Sequence, residues 1–155
     1  MCESMSEAAP TCQLRIASTS AELVTAYARR HRWEIGRPIA FDEQYSGITA
    51  LESFAGAFAA DIINGLRLRA KTQRVEILQI EAVVKLWLRN PLTFLEVVGE
   101  SGDASVERLW LHLYVSTIEP EEVVQRLLKK TMACSPLYLT LSKATQVQVD
   151  FEVAI

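Results

Sequence analysis

Between Thr49 and Lys71 the sequence reads TALESFAGAFAADIINGLRLRAK, and the first half of this stretch leaves no polar face. Small and apolar residues (Ala50, Leu51, Ala55, Gly56, Ala57, Ala59, Ala60) surround the larger Phe54, Phe58, Ile62 and Ile63. A helix that is apolar all round is either the centre of a core or a membrane span. Glu52, Asp61 and Asn64 interrupt the run, which fades near Leu66, so a span is excluded and a buried central helix is predicted. Thr49 followed by Glu52 forms a capping-box pattern that sets its start. One carboxylate, Asp61, then sits among Ala59, Ala60, Ile62 and Ile63. Such a group must be hydrogen-bonded, paired with a cation, or placed at the lip of a cavity or a subunit boundary.

The rest of the chain is arranged about this helix. Residues 1–11 read as a loose polar tail and residues 12–155 as a single domain. Leu14 and Ile16 alternate with polar neighbours, and Leu23, Thr25 and Tyr27 continue the alternation after Ser18-Thr19-Ser20. Trp33 to Ile39 is a third short strand bent at Gly36 and Pro38, and residues 41–47 form a loop. After the helix, Arg74 to Leu88 has period two, with Leu78, Ile80, Ala82, Val84, Leu86 and Leu88 on one face and Gln79, Glu81, Lys85 and Trp87 on the other. Asn90-Pro91 ends that strand and Gly99 to Gly102 make a turn. Leu109, Leu111, Leu113 and Val115 mark another strand over 107–116. A helix over 118–132 carries Pro120 in its first turn, acidic residues at its start and Lys129 and Lys130 at its end. Ser135-Pro136 caps a second, shorter helix through Leu141, and residues 146–155 alternate as a final strand. The order β-β-β-α-β-β-α-α-β predicts an α+β fold with a mostly antiparallel sheet.

Half the residues are hydrophobic and 23% charged, the balance of a globular domain. A net charge of −3 gives no basic field, so neither nucleic acid nor an anionic membrane is an expected partner. The basic run Arg29-Arg30-His31-Arg32 reads as a solvated strand end or a small anion site. Cys2, Cys12 and Cys134 make no paired spacing and no metal-ligand set with the two histidines, so no metal or other cofactor is expected. The unpaired cysteines and the polar N-terminus, which has no apolar leader segment, point to the cytoplasm.

Two segments carry a resemblance. Ala50 to Asp61, ALESFAGAFAAD, fits without a gap the "PLELLLAALGGC" stretch that opens the central helix of the OsmC-like family, which comprises the osmotically inducible and organic-hydroperoxide-resistance proteins. Ser135 to Leu141, SPLYLTL, is similar to that family's later "CPVSxTL" motif, and the whole resemblance spans about residues 25–155. It implies an intertwined homodimer with a site between subunits, where one cysteine attacks a peroxide and a second resolves it. Here the two cysteine positions are Asp61 and Ser135, so the implied peroxide chemistry has lost both thiols.

Three readings follow. The first is a homodimer without peroxidase activity that keeps a pocket for a small apolar ligand, lined by Glu52, Phe58, Asp61 and Tyr138. Asp61 is then either a structural partner of Arg29, Arg30 or Arg32 or of a group across the dimer interface, or a ligand-binding or catalytic carboxylate in the cavity. The second is a thiol-dependent hydroperoxide reductase that has moved its chemistry to Cys134, which otherwise reads as a small buried residue behind the helix cap. The third is a structural subunit whose pocket is filled by Phe58 and Tyr138.

Overall fold

The structure is a computed structural model that describes residues 10–18, 20–21, 23–36 and 47–154. Its contacts divide the chain into two units, Met1–Ala50 and Leu51–Ile155. The expected N-terminal tail up to residue 9, the loop over 41–46 and the far end of the third strand beyond Gly36 lie outside the described residues.

The first unit is an antiparallel meander of β1 (Arg15–Ser18), β2 (Leu23–Ala28) and β3 (His31–Gly36). Ala26 pairs with both Ile16 and Trp33 in the register and is fully buried. The basic run is where sequence alternation stops: Arg29 and Arg30 make the β2–β3 turn, and His31 and Arg32 open β3, all four exposed. Arg29 adopts φ 54°, a left-handed conformation that the tight turn imposes. The Gly36 N–H donates to the Ile48 carbonyl at 2.7 Å, tying the end of β3 to the residues that lead into the next helix.

The second unit is built on α1 (Ala50–Gln73), which starts one residue after Thr49 as the capping pattern predicts. Its end is a Schellman motif: Arg74 turns left-handed at φ 59°, Val75 N–H reaches the Ala70 carbonyl at 2.9 Å and Arg74 N–H the Lys71 carbonyl at 3.3 Å. This cap takes residues 74–78 out of the strand expected from residue 74, so β4 is Gln79–Leu88. Asn90 does more than stop β4. Its Oδ1 accepts from Leu92 and Thr93 N–H, both at 3.1 Å, and caps the one-turn helix α2 (Pro91–Phe94). Next come β5 (Val106–Ser116), α3 (Glu121–Met132), α4 (Pro136–Ala144) and β6 (Gln146–Ala154). Pro120 is the N-cap of α3 rather than a residue of its first turn, and α4 runs one turn beyond Leu141.

The expected α+β order therefore holds, but the strands form two sheets, and the second is mixed. β5 is its centre, antiparallel to β4 and parallel to β6. The two-helix crossover from β5 to β6 is what permits a parallel neighbour, since a parallel pair needs a long connection. One face of this sheet buries Leu109, Leu111, Leu113 and Val115 completely against Phe58, Ile62 and Leu66 of α1 and Val124, Leu127 and Leu128 of α3. Burying each such side chain contributes roughly 1.5–3 kcal/mol, so this layer supplies most of the unit's cohesion.

The central helix is buried on one side only. Ala55, Phe58, Ala59, Ile62, Leu66 and Ala70 make the core stripe. On the far side Gly56, Ala57 and Ala60 are exposed, with Phe54 at 38% and Leu68 at 64% of their full accessibility. The expectation of a helix with no solvent face is thus corrected within one chain: the unit has one sheet and one helix layer to set against α1, enough to cover half of it.

Candidate functional site

Asp61 lies near the middle of α1, and the residues that follow it by three, four, seven and eight positions are Asn64, Gly65, Leu68 and Arg69. That spacing puts all five on one strip of the helix. Gly65 decides what can approach the strip. A Cβ there would stand 2.8 Å from the Thr131 Cγ2 of α3, so α3 comes closer to α1 than any other residue would allow. Thr131 is buried and fixed, its hydroxyl donating to the Leu127 carbonyl at 2.9 Å.

The close approach delivers the α3–α4 turn to Asp61. Ala133 ends α3, Cys134 N–H donates to the Thr131 carbonyl at 3.1 Å and Ser135 N–H to the Met132 carbonyl at 3.3 Å. Ser135 then caps α4, its Oγ accepting the Tyr138 N–H at 2.9 Å, with Pro136 in the first helical position. The same Ser135 hydroxyl donates a hydrogen bond to Asp61 Oδ2. Ser135 is thus used twice, as acceptor to the helix and donor to the carboxylate, and it is buried. Asp61 Oδ1 has no partner among the described residues and keeps its capacity to accept a hydrogen bond.

Around this pair is an open cleft of about 240 Å³, lined by Asp61, Asn64, Gly65, Leu68, Arg69, Thr131, Cys134 and Ser135. Arg69 folds back so that Nη1 donates to the Gly65 carbonyl at 3.1 Å, and it makes no ion pair among the described residues. The cleft therefore presents a half-buried carboxylate, a guanidinium, an amide and a thiol, with Leu68 as its one large apolar side chain.

The positions named from sequence fall as follows. Asp61 and Ser135, the two ends of the resemblance, are brought into contact across 74 residues. Cys134 lies at the same cleft and is exposed, which corrects the expectation of a buried residue. It follows the C-cap Ala133 of α3 in a turn held by backbone bonds, outside the stripe that α3 buries. Phe58 is fully buried in the core, Tyr138 packs against that core from α4, and Glu52 is exposed in the first turn of α1; the cleft does not include them. Arg29, Arg30 and Arg32 are exposed on the first unit, and the partner the structure gives Asp61 is Ser135. Cys12 is exposed, and Cys2 lies outside the described residues. Among the described residues there is no cluster of potential metal ligands and no helix long and apolar enough to cross a membrane.

Sequence reasoning passed over Gly65 and Arg69. Both had a signal: a glycine inside a helix costs about 1 kcal/mol against alanine and needs a packing reason. Arg69 stands two turns from Asp61 on the same face.

The sequence matches no protein-family model and no curated protein sequence. The fold does match solved structures. An OsmC-like protein from Mycoplasma pneumoniae superposes with TM-score 0.75 at 15% identity, over 95% of this chain and 98% of that one. The organic hydroperoxide resistance protein OhrB of Bacillus subtilis gives TM-score 0.61 at 20% identity, over 94% and 100% of the two chains. An OsmC-like protein of unknown function from Vibrio cholerae gives 0.68 at 11%, over 94% and 99%. The chain has the OsmC-like fold. At these identities the likeness carries the fold and not the chemistry.

Proposed function

We propose that this protein is a homodimeric binding protein on the OsmC-like fold, in which a carboxylate–hydroxyl pair has replaced a pair of redox thiols. The observation that carries this reading is the hydrogen bond from Ser135 to Asp61, joining the two positions that the family resemblance would fill with cysteines. Hydroperoxide reduction needs a thiolate to attack the O–O bond and a second thiol to resolve the sulfenic acid. Neither a carboxylate nor an alcohol undergoes that two-electron change. What the pair can do is hold an acceptor edge, Asp61 Oδ1, in place at an open cleft. With the Arg69 guanidinium and Asn64 amide beside it, the cleft suits a small polar molecule that carries a hydrogen-bond donor for Asp61 and an acceptor for Arg69. The polar lining favours such a ligand over the small apolar one expected from the sequence.

The dimer rests on the outer face of α1. Phe54, Gly56, Ala57 and Ala60 give the first half of α1 an exposed apolar patch flat enough for a second helix, and the resemblance implies a pairing of central helices. The free thiols of Cys12 and Cys134 suit a reducing, cytoplasmic setting.

One observation favours a second reading. Cys134 is exposed at the cleft that Arg69 also lines, the kind of neighbourhood in which a thiol reacts. The deciding experiment is consumption of cumene hydroperoxide with dithiothreitol or dihydrolipoamide by the wild type and Cys134→Ser. The binding-protein reading requires no turnover by either. Turnover by the wild type that disappears in Cys134→Ser overturns it and makes Cys134 the peroxide-reactive thiol. The ligand is then sought by thermal shift with small amines and amino acids, comparing the wild type with Asp61→Asn.

A further inference from the structure

The second sheet has two faces, and the outer one bears a feature that the cleft does not use. The strand register sets Lys85 opposite Trp110 and Trp87 opposite Arg108, so two cations and two indoles occupy a crossed quartet on β4 and β5. Each cation lies over the ring across from it. Arg108 Cζ is 4.0 Å from the Trp87 centroid and Lys85 Nζ 5.0 Å from that of Trp110. Trp110 is held in orientation by its Nε1–H, which donates to Asp150 Oδ2 at 2.7 Å, and it stacks on His112 with 5.5 Å between ring centroids. Between these side chains and Gln148 of β6 lies a groove of about 250 Å³.

The two cations of this face are not paired with its carboxylates, which take other donors: Glu81 accepts from Gln79 at 2.6 Å, Asp150, at the edge of the groove, accepts from the lining residues Trp110 and Gln148 at 2.7 and 2.8 Å, and Glu152 faces His112 at 3.9 Å. Lys85 and Arg108 have no carboxylate and no hydrogen-bond acceptor among the described residues. A guanidinium resting on an indole gives none of its N–H groups to the ring, so its edge stays free for bidentate recognition of an anion. The walls beside it are aromatic, which suits a planar ring. The groove is smaller than the pockets that take drug-sized molecules.

We infer that this groove is a second binding site, taking a single-ring aromatic anion whose carboxylate or phosphate meets Lys85 and Arg108 while its ring lies against Trp87 and Trp110. A stacked strand of nucleic acid is the poorer fit, because a net charge of −3 leaves no extended basic surface to track a polyanion.

The test uses the tryptophans as reporters. The chain has three, and Trp33→Phe removes the one outside this sheet, leaving Trp87 and Trp110 to report. In that background 4-nitrobenzoate, whose nitroaromatic ring quenches indole emission on contact, is titrated beside the uncharged 4-nitrobenzyl alcohol. Saturable quenching by the acid is expected, weakened about tenfold for the alcohol and about tenfold for the acid in Lys85→Met/Arg108→Met. Far-UV circular dichroism checks that the variants are folded, and the single variants Lys85→Met and Arg108→Met, each several-fold weaker, serve if the double variant is not. Linear quenching that is alike for acid and alcohol overturns the assignment. So does saturable quenching by the acid that folded variants leave within twofold.

Discussion

Replacing Ser135 by alanine removes two interactions at once, and the two can be separated. The first is the helix cap. Losing a serine that accepts the Tyr138 N–H at 2.9 Å costs about 1 kcal/mol, whereas glycine at an N-cap costs only a few tenths. The second is the bond to Asp61. Hydrogen bonds to charged groups contribute roughly 1.5–3 kcal/mol, but Asp61 is only half-buried and water can take the vacated place, which brings this contribution to about 1 kcal/mol. Ser135→Ala should therefore lose about 2 kcal/mol and Ser135→Gly between about 1 and 1.5 kcal/mol. The assay is urea unfolding at one fixed protein concentration, since coupled association would otherwise move the midpoint. A double-mutant cycle with Asp61→Ala should return a coupling of about 1 kcal/mol. Equal losses for alanine and glycine variants, or a coupling below about 0.3 kcal/mol, would refute the claim that the Asp61–Ser135 bond holds the α3–α4 turn on α1.

Three further outcomes are expected. Gly65→Ala should destabilise by a net ~1 kcal/mol, because the new methyl meets the anchored Thr131 at 2.8 Å and strain of about 1–3 kcal/mol exceeds the helix-propensity gain of about 1; a more stable variant would show that α3 does not need this approach. Ala57→Arg places a charge at the centre of the exposed stripe of α1 and should give a monomer by light scattering while leaving the circular dichroism unchanged; a persistent dimer would mean that the subunits pair elsewhere. The Asp103 carboxyl is held below its ordinary value of 3.8, chiefly by the Ser105 side chain, then by the Ser105 backbone N–H and the charge of Arg89. Since the folded value is the lower one, its contribution is present above the ordinary carboxylate range and is lost as pH falls through the folded value. A carboxyl NMR titration should show this depression, and Ser105→Ala should move the value upward.

The sequence by itself determined whatever is written in short windows. Period two marked β5 and β6, the apolar run marked α1, and Ser135-Pro136 announced the start of α4, because strand alternation and helix caps depend on neighbours a few residues apart. It misplaced the start of β4, where Arg74 in a left-handed turn closes α1 before the alternation can pair. Tertiary structure decided the rest. Nothing local says that β6 lies parallel to β5, that α1 is covered on one side only, or that Cys134 faces solvent while Ser135 is buried beside it. Asp61 and Ser135 stand 74 residues apart, and their meeting depends on α3 settling into the gap at Gly65. The crossed pairs of Lys85, Trp110, Trp87 and Arg108 depend likewise on register, since a slip of one residue would send each side chain of a strand to the opposite face. Elements are chosen by local backbone bonding and hydrophobic period; sites arise where packing brings distant elements within bonding distance.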